Sequence, residues 1–170
     1  MAKTTREDLM NAAERRVRDA GYNGFSFRDL AEDVGITSAS VHHHFPTKQA
    51  LVGALAERYT ERFLQGLSGT TPGAERIAAY RAAFRASVAE DGLMCLCGML
   101  GAESGGLPDE VLAQTRMFFD RTSRHLAEGL AGPDPAARAR QILARLEGAI
   151  ILARTMGEIA YFDEAAADLA

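Results

Sequence analysis

Apolar residues recur at helical spacing along most of the chain, and glycine, proline or a capping residue interrupts each run. Leu9, Ala13 and Val17 stand four residues apart and mark the buried stripe of a first helix. Reading each run in this way predicts helices over about 5–20, 26–35, 37–46, 47–65, 74–90, 93–103, 108–130 and 134–157. Because no stretch shows a sustained alternation of apolar and polar residues, the pattern predicts an all-α fold.

The composition supports this fold class. The 31 alanines outnumber the 22 Val, Ile and Thr residues, and alanine is the strongest intrinsic helix former. Apolar residues make up 47% and charged residues 25% of the chain, which are values of a globular protein and exclude a disordered or collagen-like chain. Since no apolar run approaches the roughly 20 residues that span a bilayer, we expect a soluble, cytoplasmic protein without a membrane partner.

A break rich in Gly, Ser, Thr and Pro divides the chain at 66–73. It predicts two domains, residues 1–64 and residues 65–170. Residues 1–62 hold nine basic and nine acidic side chains, whereas residues 63–170 hold ten basic and fourteen acidic ones. The excess acid therefore falls in the second domain, which permits nucleic-acid binding by the first domain but does not establish it.

Residues 24–51 have the arrangement of a helix-turn-helix. A short helix opens at Ser26, Gly35 ends it and allows a tight turn, and Thr37 opens a second short helix. The outward residues of that second helix are Thr37, Ser38, Ala39 and Ser40. Small, hydroxylated side chains let a helix approach the base edges of the DNA major groove. The same pattern would also suit a three-helix packing unit with a polar edge.

Residues 5–55 resemble the TetR family of bacterial transcriptional regulators. The matching residues are Phe27-Arg28-Asp29-Leu30-Ala31, Val34-Gly35-Ile36-Thr37 and His43-His44-Phe45-Pro46-Thr47-Lys48-Gln49-Ala50-Leu51. The resemblance implies an N-terminal three-helix DNA-binding domain and a C-terminal helical domain that binds an effector and dimerises. It further implies a repressor that a small organic ligand releases from a palindromic operator. One position departs from the family, because His42 stands where a phosphate-contacting Tyr is usual.

The motif, the helix faces and the resemblance together predict three groups of functional residues. Contacts with a double-stranded DNA operator are predicted for Ser26, Phe27, Arg28, Thr37, Ser38, Ala39, Ser40, His42, His43 and Lys48. An effector pocket is predicted from Tyr80, Phe84, Met94, Cys97, Met99, Phe118, Arg121, His125 and Arg154. A homodimer interface is predicted from Phe119, Ile142, Leu146, Ala149, Ile150 and Ala153.

Two physical arguments support the second and third groups. A pocket lined by Met and Phe with one or two basic side chains would suit a small organic acid or an electrophile. The apolar stripe over 134–157 is too wide for one neighbouring helix to cover, and its small residues would let a partner helix approach closely.

The histidines and cysteines do not predict a metal site. His42, His43 and His44 point about 100° apart on a helix and cannot share one ion, so neither a metal nor a cofactor is expected. Cys95 and Cys97 lie too close in sequence for a disulfide, and buried thiols are mostly packing residues. The functional interpretation is that one thiol lines the effector pocket and senses electrophiles or oxidants, because the stretch 95–103 is similar to a TetR branch with acrylate- and electrophile-responsive regulators.

The sequence leaves two further interpretations and predicts a switch. A helical adaptor without DNA binding could use the same helices, and a Cys97–His125 pair could serve an enzyme, although no phosphate loop, nucleophile elbow or metal motif supports catalysis. The segment 94–103 is apolar yet contains Gly98 and Gly101, which predicts a two-state element between effector and DNA. Its movement is expected to reach the fourth helix across the loop at 66–73.

Overall fold

The computed structural model describes residues 6–169, and its regular elements are helices, as the sequence predicts. They are α1 (Arg6–Ala20), α2 (Phe27–Val34), α3 (Ser38–His44), α4 (Lys48–Leu67), α5 (Ala74–Ala89), α6 (Leu96–Ala102), α7 (Asp109–Ala127), α8 (Pro135–Met156) and α9 (Ala160–Ala165). Single 3₁₀ turns occur at Tyr22–Gly24 and Ser104–Gly106. Within the described range, no helix combines the length and the apolar character needed to span a membrane.

Local signals place the ends of α8 where the sequence predicts them. The Asp134 side chain accepts a hydrogen bond from the Ala137 N–H at 2.8 Å, and Pro135 occupies the first turn. Gly157 ends the helix in the left-handed region with φ 73°. The helix that follows was not predicted. α9 forms because Phe162 is fully buried, which holds this last segment against α8.

The helices form two compact units. The first contains the chain up to Thr60 together with Leu96–Met117, and the second contains Glu61–Cys95 together with the chain from Phe118 onward. This division assigns α6 and the first half of α7 to the same unit as the helix-turn-helix. The predicted domain boundary after residue 64 follows the order of the chain, whereas the compact units follow its contacts.

In the first unit, α1 packs against both α2 and α6. The Glu103 carboxylate, just after α6, accepts a hydrogen bond from the backbone N–H of Tyr22 at 2.6 Å. Gly21 has φ 78°, and a Cβ atom there would lie 2.6 Å from the Glu103 carboxylate oxygens. The positive φ favours glycine at this turn, the Glu103 carboxylate packs directly against it, and Glu103 fixes the loop after α1 to the segment after α6.

In the second unit, an aromatic cluster forms the centre of the core. The Phe63 ring meets the rings of Tyr80, Phe84 and Phe118 edge to face, with centroids 5.4, 5.6 and 5.5 Å apart. α8 packs against α5 and α9 in the same unit. The core of this unit therefore joins residues that are distant in sequence.

Most side chains of the predicted homodimer interface lie in the core of their own subunit. The structure buries the predicted side chains of α8 inside their own subunit, where they are at most 4% exposed, and it leaves Phe119 half-buried. These buried residues are Ile142, Leu146, Ala149, Ile150 and Ala153. The solvent-facing apolar residues of α8 are instead Ile151, Leu152 and Met156, which are 49%, 49% and 53% exposed. Both sides of α8 are therefore apolar, and the predicted interface residues lie on the buried side.

Candidate functional site

The two helices of the helix-turn-helix are specified by hydrogen bonds at their ends. Ser26 and Asp29 form a reciprocal capping box, in which the Ser26 N–H donates to the Asp29 carboxylate at 2.7 Å. Gly35 ends α2 in the left-handed region, with φ 70°. Thr37 caps α3, and its hydroxyl accepts from the Ser40 N–H at 3.2 Å. The predicted caps are confirmed, so the turn and the direction of α3 are set locally.

The exposed side of α3 is small and polar. Thr37, Ala39, His42 and His43 are exposed, while Ser38 and Ser40 are half-buried. Val41 and Phe45 anchor the helix in the core with 0% and 3% exposure. Ile36, which the sequence predicted to be buried, is half-buried because it lies in the turn and not on a helix face. The side of α3 that the sequence assigned to DNA thus faces solvent.

The His42 ring has a fixed orientation. It packs edge-on against Phe27, with centroids 4.8 Å apart, and its Nδ1 lies 3.3 Å from the carbonyl oxygen of Pro46. Because a carbonyl only accepts, Nδ1 must be the protonated nitrogen in this contact. The remaining nitrogen, Nε2, can donate to a phosphate only when the ring is doubly protonated. Arg28 could donate to a phosphate without any change of protonation, and its side chain is 83% exposed beside Glu32.

Lys48 at the start of α4 is already bonded within the first unit. Its ammonium donates to the backbone carbonyl of Phe25 and lies 4.3 Å from the Phe25 ring centroid and 4.9 Å from that of Tyr22. Burial lowers the pKa of Lys48, and the negative charges of Glu103 and Asp29 oppose that shift. This lysine therefore joins the start of α4 to the loop before α2, and a phosphate contact would have to share its ammonium.

The predicted effector residues are divided between the units. Cys97 and Met99 belong to the first unit, whereas Met94 and Arg154 belong to the second. Both cysteines are buried, and neither is in a disulfide. The aromatic residues Tyr80, Phe84 and Phe118 fill the core around Phe63. The predicted effector residues thus belong to both units, and three of them form part of the aromatic core of the second unit.

Two predicted effector residues, Arg121 and His125, line a surface pocket of about 460 Å³ in the second unit. The whole lining consists of Leu64, Ser68, Arg76, Arg121, Arg124, His125 and Glu128. The His125 Nδ1 lies 2.9 Å from the Tyr80 hydroxyl, and burial together with the Arg76 charge lowers the pKa of His125. Burial also raises the pKa of Tyr80. An uncharged pair, Tyr80 and His125, therefore lies at this pocket.

Each arginine of this pocket has an acidic partner. Arg76 donates to Glu128 at 2.7 Å and also bonds the carbonyls of Thr70 and His125. Arg121 pairs with Glu61, and Arg124 pairs with Asp120. An organic anion would have to replace one of these acids, so the pocket offers less positive charge than its composition indicates.

Sequence reasoning missed one buried acidic residue. Glu147 in α8 has both carboxylate oxygens buried, and within residues 6–169 neither accepts from a nitrogen or oxygen donor, which leaves the Cys95 thiol as the neighbour that bonds this carboxyl. Burial raises the pKa of this carboxyl to about 7, and the nearby Cys95 thiol partly opposes the rise. The signal was available in the sequence, because Glu147 stands on the apolar stripe between Leu143 and Ile150.

Comparison with known proteins gives a consistent result. A family model described as bacterial regulatory proteins, tetR family, matches residues 9–55. The transcriptional regulator AcuR of Cereibacter sphaeroides is 26% identical over 171 residues, covering 90% of this chain and 78% of that protein. The class C tetracycline repressor protein of Escherichia coli is 39% identical over 57 residues, which are 34% of this chain and 26% of that protein.

A solved structure extends the similarity over nearly the whole chain. The crystal structure of a TetR transcriptional regulator from Legionella pneumophila superposes with a TM-score of 0.88 at 29% identity. The match covers 97% of this chain and 95% of that one. Both the helix-turn-helix and the helices that follow it therefore have counterparts in a solved regulator.

Proposed function

Since the chain belongs to the TetR family of bacterial regulatory proteins, we propose that it binds a palindromic DNA operator as a homodimer and represses transcription until a small organic ligand releases it. The observation that carries the proposal is the capped helix-turn-helix, whose second helix turns Thr37, Ala39 and His43 to solvent. The proteins of this family are transcriptional regulators. This favours a DNA-binding repressor over the helical adaptor without DNA binding and over the Cys97–His125 enzyme. The proposal assigns no catalytic residue.

α3 reads the major groove in this proposal. Small side chains at its N-terminal end let the backbone come close to base edges, and Thr37 offers a hydroxyl there. Phe27 and His42 support the docking by holding one another at the edge of the motif, and the exposed Arg28 is placed to meet phosphate. Sequence specificity then comes from α3. The position of the protein on the duplex is set by Phe27, Arg28 and His42.

Fluorescence anisotropy with DNA from upstream of the gene tests this proposal. Ala39→Phe places a bulky ring on the exposed end of α3 and should weaken specific binding about 10- to 100-fold, the scale of losing one base contact. Ala136→Phe, at an exposed position in the first turn of α8, is the matched control and should bind normally. Equal affinity of both variants would exclude α3 as the reading helix.

Salt dependence separates two roles for Lys48. If its ammonium contacts phosphate, Lys48→Ala should weaken binding to all sequences alike and reduce the log–log salt slope by about one. If it only joins α4 to Phe25 and Tyr22, the variant should lower thermal stability and leave the slope unchanged. We propose the phosphate role, with the ammonium shared between Phe25 and DNA, and an unchanged slope would contradict it.

The exposed side of α8 is the proposed dimer interface. Ile151, Leu152 and Met156 are about half exposed there, and a Cβ atom at Gly148 would meet no neighbouring atom within 4 Å. An apolar face beside an open glycine suits the close approach of the same helix from a second copy. A two-fold dimer would set the two α3 helices about 34–36 Å apart, one turn of DNA.

Charge placed on that face should dissociate the dimer. Ile151→Glu with Leu152→Glu should raise the dimer dissociation constant at least about 100-fold, since two carboxylates would be buried without partners. Ala136→Glu, four turns earlier in α8, is the control. Analytical ultracentrifugation measures the outcome, and a double variant that stays dimeric would place the interface elsewhere.

The segment after α6 is the proposed route between ligand and DNA. The Glu103 carboxylate bonds the Tyr22 N–H, and Glu110 at the start of α7 accepts from the Gln49 side chain at 3.0 Å. Both contacts lie in the first unit, so a shift of α6 would act directly on the loops around the helix-turn-helix. This route supplements the predicted passage through the loop at 66–73. A ligand can act through this route only if it binds more tightly to the protein with α6 in one position than to the protein with α6 in another.

A further inference from the structure

Glu147 carries a carboxyl group whose hydrogen-bonding capacity is mostly unused. Both oxygens are shielded from solvent, no nitrogen or oxygen donor among residues 6–169 bonds either of them, and the weak S–H donor of Cys95 is the group that partly stabilises the charged form. Buried polar groups in folded proteins are nearly always bonded, so such a group needs a physical explanation. A bound partner that is absent from the isolated chain would provide one.

The neighbours of Glu147 on its side of α8 are apolar, and one thiol acts on its carboxyl. Leu143 and Ile150 flank Glu147 on the same side of α8 and are 4% and 0% exposed. Cys95 is 2% exposed, and its thiol is near enough to affect the carboxyl. Among residues 6–169, no basic side chain contributes to the pKa of Glu147, which burial dominates. The missing partner is therefore a donor, and one that can carry positive charge.

We propose that Glu147 and Cys95 mark a ligand site in the second unit, and that this site takes a small organic cation with N–H donors, such as a primary ammonium or an amidinium. The inference rests on the proposed function, because it names the chemical class of the effector. It replaces the organic acid expected from the sequence, since a second carboxylate would be repelled whenever Glu147 is ionised and no basic side chain among the causes of its pKa shift would offset that repulsion.

The chemistry of the group favours a cation over a neutral donor. Without ligand, burial raises the pKa of the carboxyl to about 7, so about half of it is protonated at neutral pH. A cation that enters displaces this proton to solvent and leaves the carboxylate with an opposite charge beside it. Charge-assisted hydrogen bonds are about twice as strong as neutral ones, and two empty oxygens can accept two N–H groups. Leu143 and Ile150 would then contact the hydrocarbon part of the ligand.

Calorimetric titration of the full chain with butylammonium and benzamidinium tests the site directly. Each probe has a neutral counterpart of similar shape, butanol for the first and benzamide for the second. We expect the cations to bind wild type more tightly than their counterparts. Glu147→Gln should weaken cation binding about 10- to 100-fold while leaving the neutral molecules unaffected. Glu158→Gln, at an exposed position just after α8, is the matched control and should bind as wild type.

Infrared spectroscopy supplies a readout that needs no variant. The band of the protonated Glu147 carboxyl should be present in the free wild-type chain and should decrease when benzamidinium or butylammonium binds. The proposal is overturned if neither cation binds better than its neutral counterpart, if Glu147→Gln binds the cations as wild type does, or if the band does not respond.

The link to regulation is measured separately. Cation binding to the chain alone tests the site, whereas release of operator DNA by the same cations tests whether the site is the effector site. A chain that binds the cations at Glu147 but never binds DNA would contradict the proposed function and not the ligand chemistry. A chain that binds DNA but fails every cation test would contradict only the ligand chemistry.

Discussion

The helix-turn-helix and α8 specify their structures in different ways. In α2 and α3, the helix ends are set by the capping box, the left-handed glycine and the Thr37 cap. Each of these features joins residues that are at most four positions apart in the chain. α8 has equally clear ends, yet apolar residues occupy both its buried and its exposed sides. Hydrogen bonds at helix ends are local and can be predicted from spacing, whereas the choice of the inward face depends on residues far away in the chain.

The largest expected effect on the free energy of unfolding comes from the core packing that determines which helix faces are buried. Phe118 is fully buried in the aromatic cluster around Phe63, so Phe118→Ala should lower the free energy of unfolding by about 3–5 kcal/mol. Its neighbour Phe119 is half-buried, and Phe119→Ala should have a clearly smaller effect. Urea unfolding at fixed protein concentration measures both. Equal losses would mean that the cluster is not the centre of the second core.

The next effect isolates the buried acid of α8. Because the folded chain holds the Glu147 proton more tightly than the unfolded chain does, its contribution to stability falls as pH rises from about 4.5 to about 7. Each unit of pKa corresponds to about 1.4 kcal/mol, so the total loss is about 3 kcal/mol. Wild type should lose this amount relative to Glu147→Gln when both are unfolded by urea across that pH range. Parallel curves for the two proteins would show that the carboxyl is not buried.

The smallest effect compares helix ends in the two regions. Ser26 caps α2 and Asp134 caps α8, each through a bond to a backbone N–H. Ser26→Ala and Asp134→Ala should each lower the free energy of unfolding by about 1 kcal/mol. Thermal unfolding of both variants beside wild type measures the losses. A large difference between them would show that one helix end is held mainly by packing and not by its cap.

Much of the fold could be predicted from the sequence, because its helices begin and end at residues with clear roles. Ser26, Gly35, Thr37 and Gly157 each lie at the predicted helix end. α9 was missed because Gly157 ends the periodic pattern, and only the burial of Phe162 shows that a helix follows.

The candidate sites were harder to predict. The exposed side of α3 follows from its cap and its short length, so the sequence could identify it. The ligand-binding residues depend on how distant helices pack, and the apolar pattern predicted a pocket where Tyr80 and Phe118 fill a closed core. Glu147 was overlooked because an acid in an apolar stripe has no local partner that would reveal its burial. Lys48 matched the family pattern, yet its contacts with Phe25 and Tyr22 arise only on folding.

The contact between Glu103 and the turn at Gly21 has a consequence for the evolution of the chain. A Cβ atom at position 21 would overlap the carboxylate of Glu103 unless that side chain moved and gave up its present contact. The hydrogen bond from the Tyr22 N–H joins positions 81 residues apart and ties the two choices together. Loss of the glutamate would remove this overlap but not the φ of 78°, so among homologous sequences the glycine should persist where residue 103 changes, and a glutamate at position 103 should be accompanied by glycine at position 21.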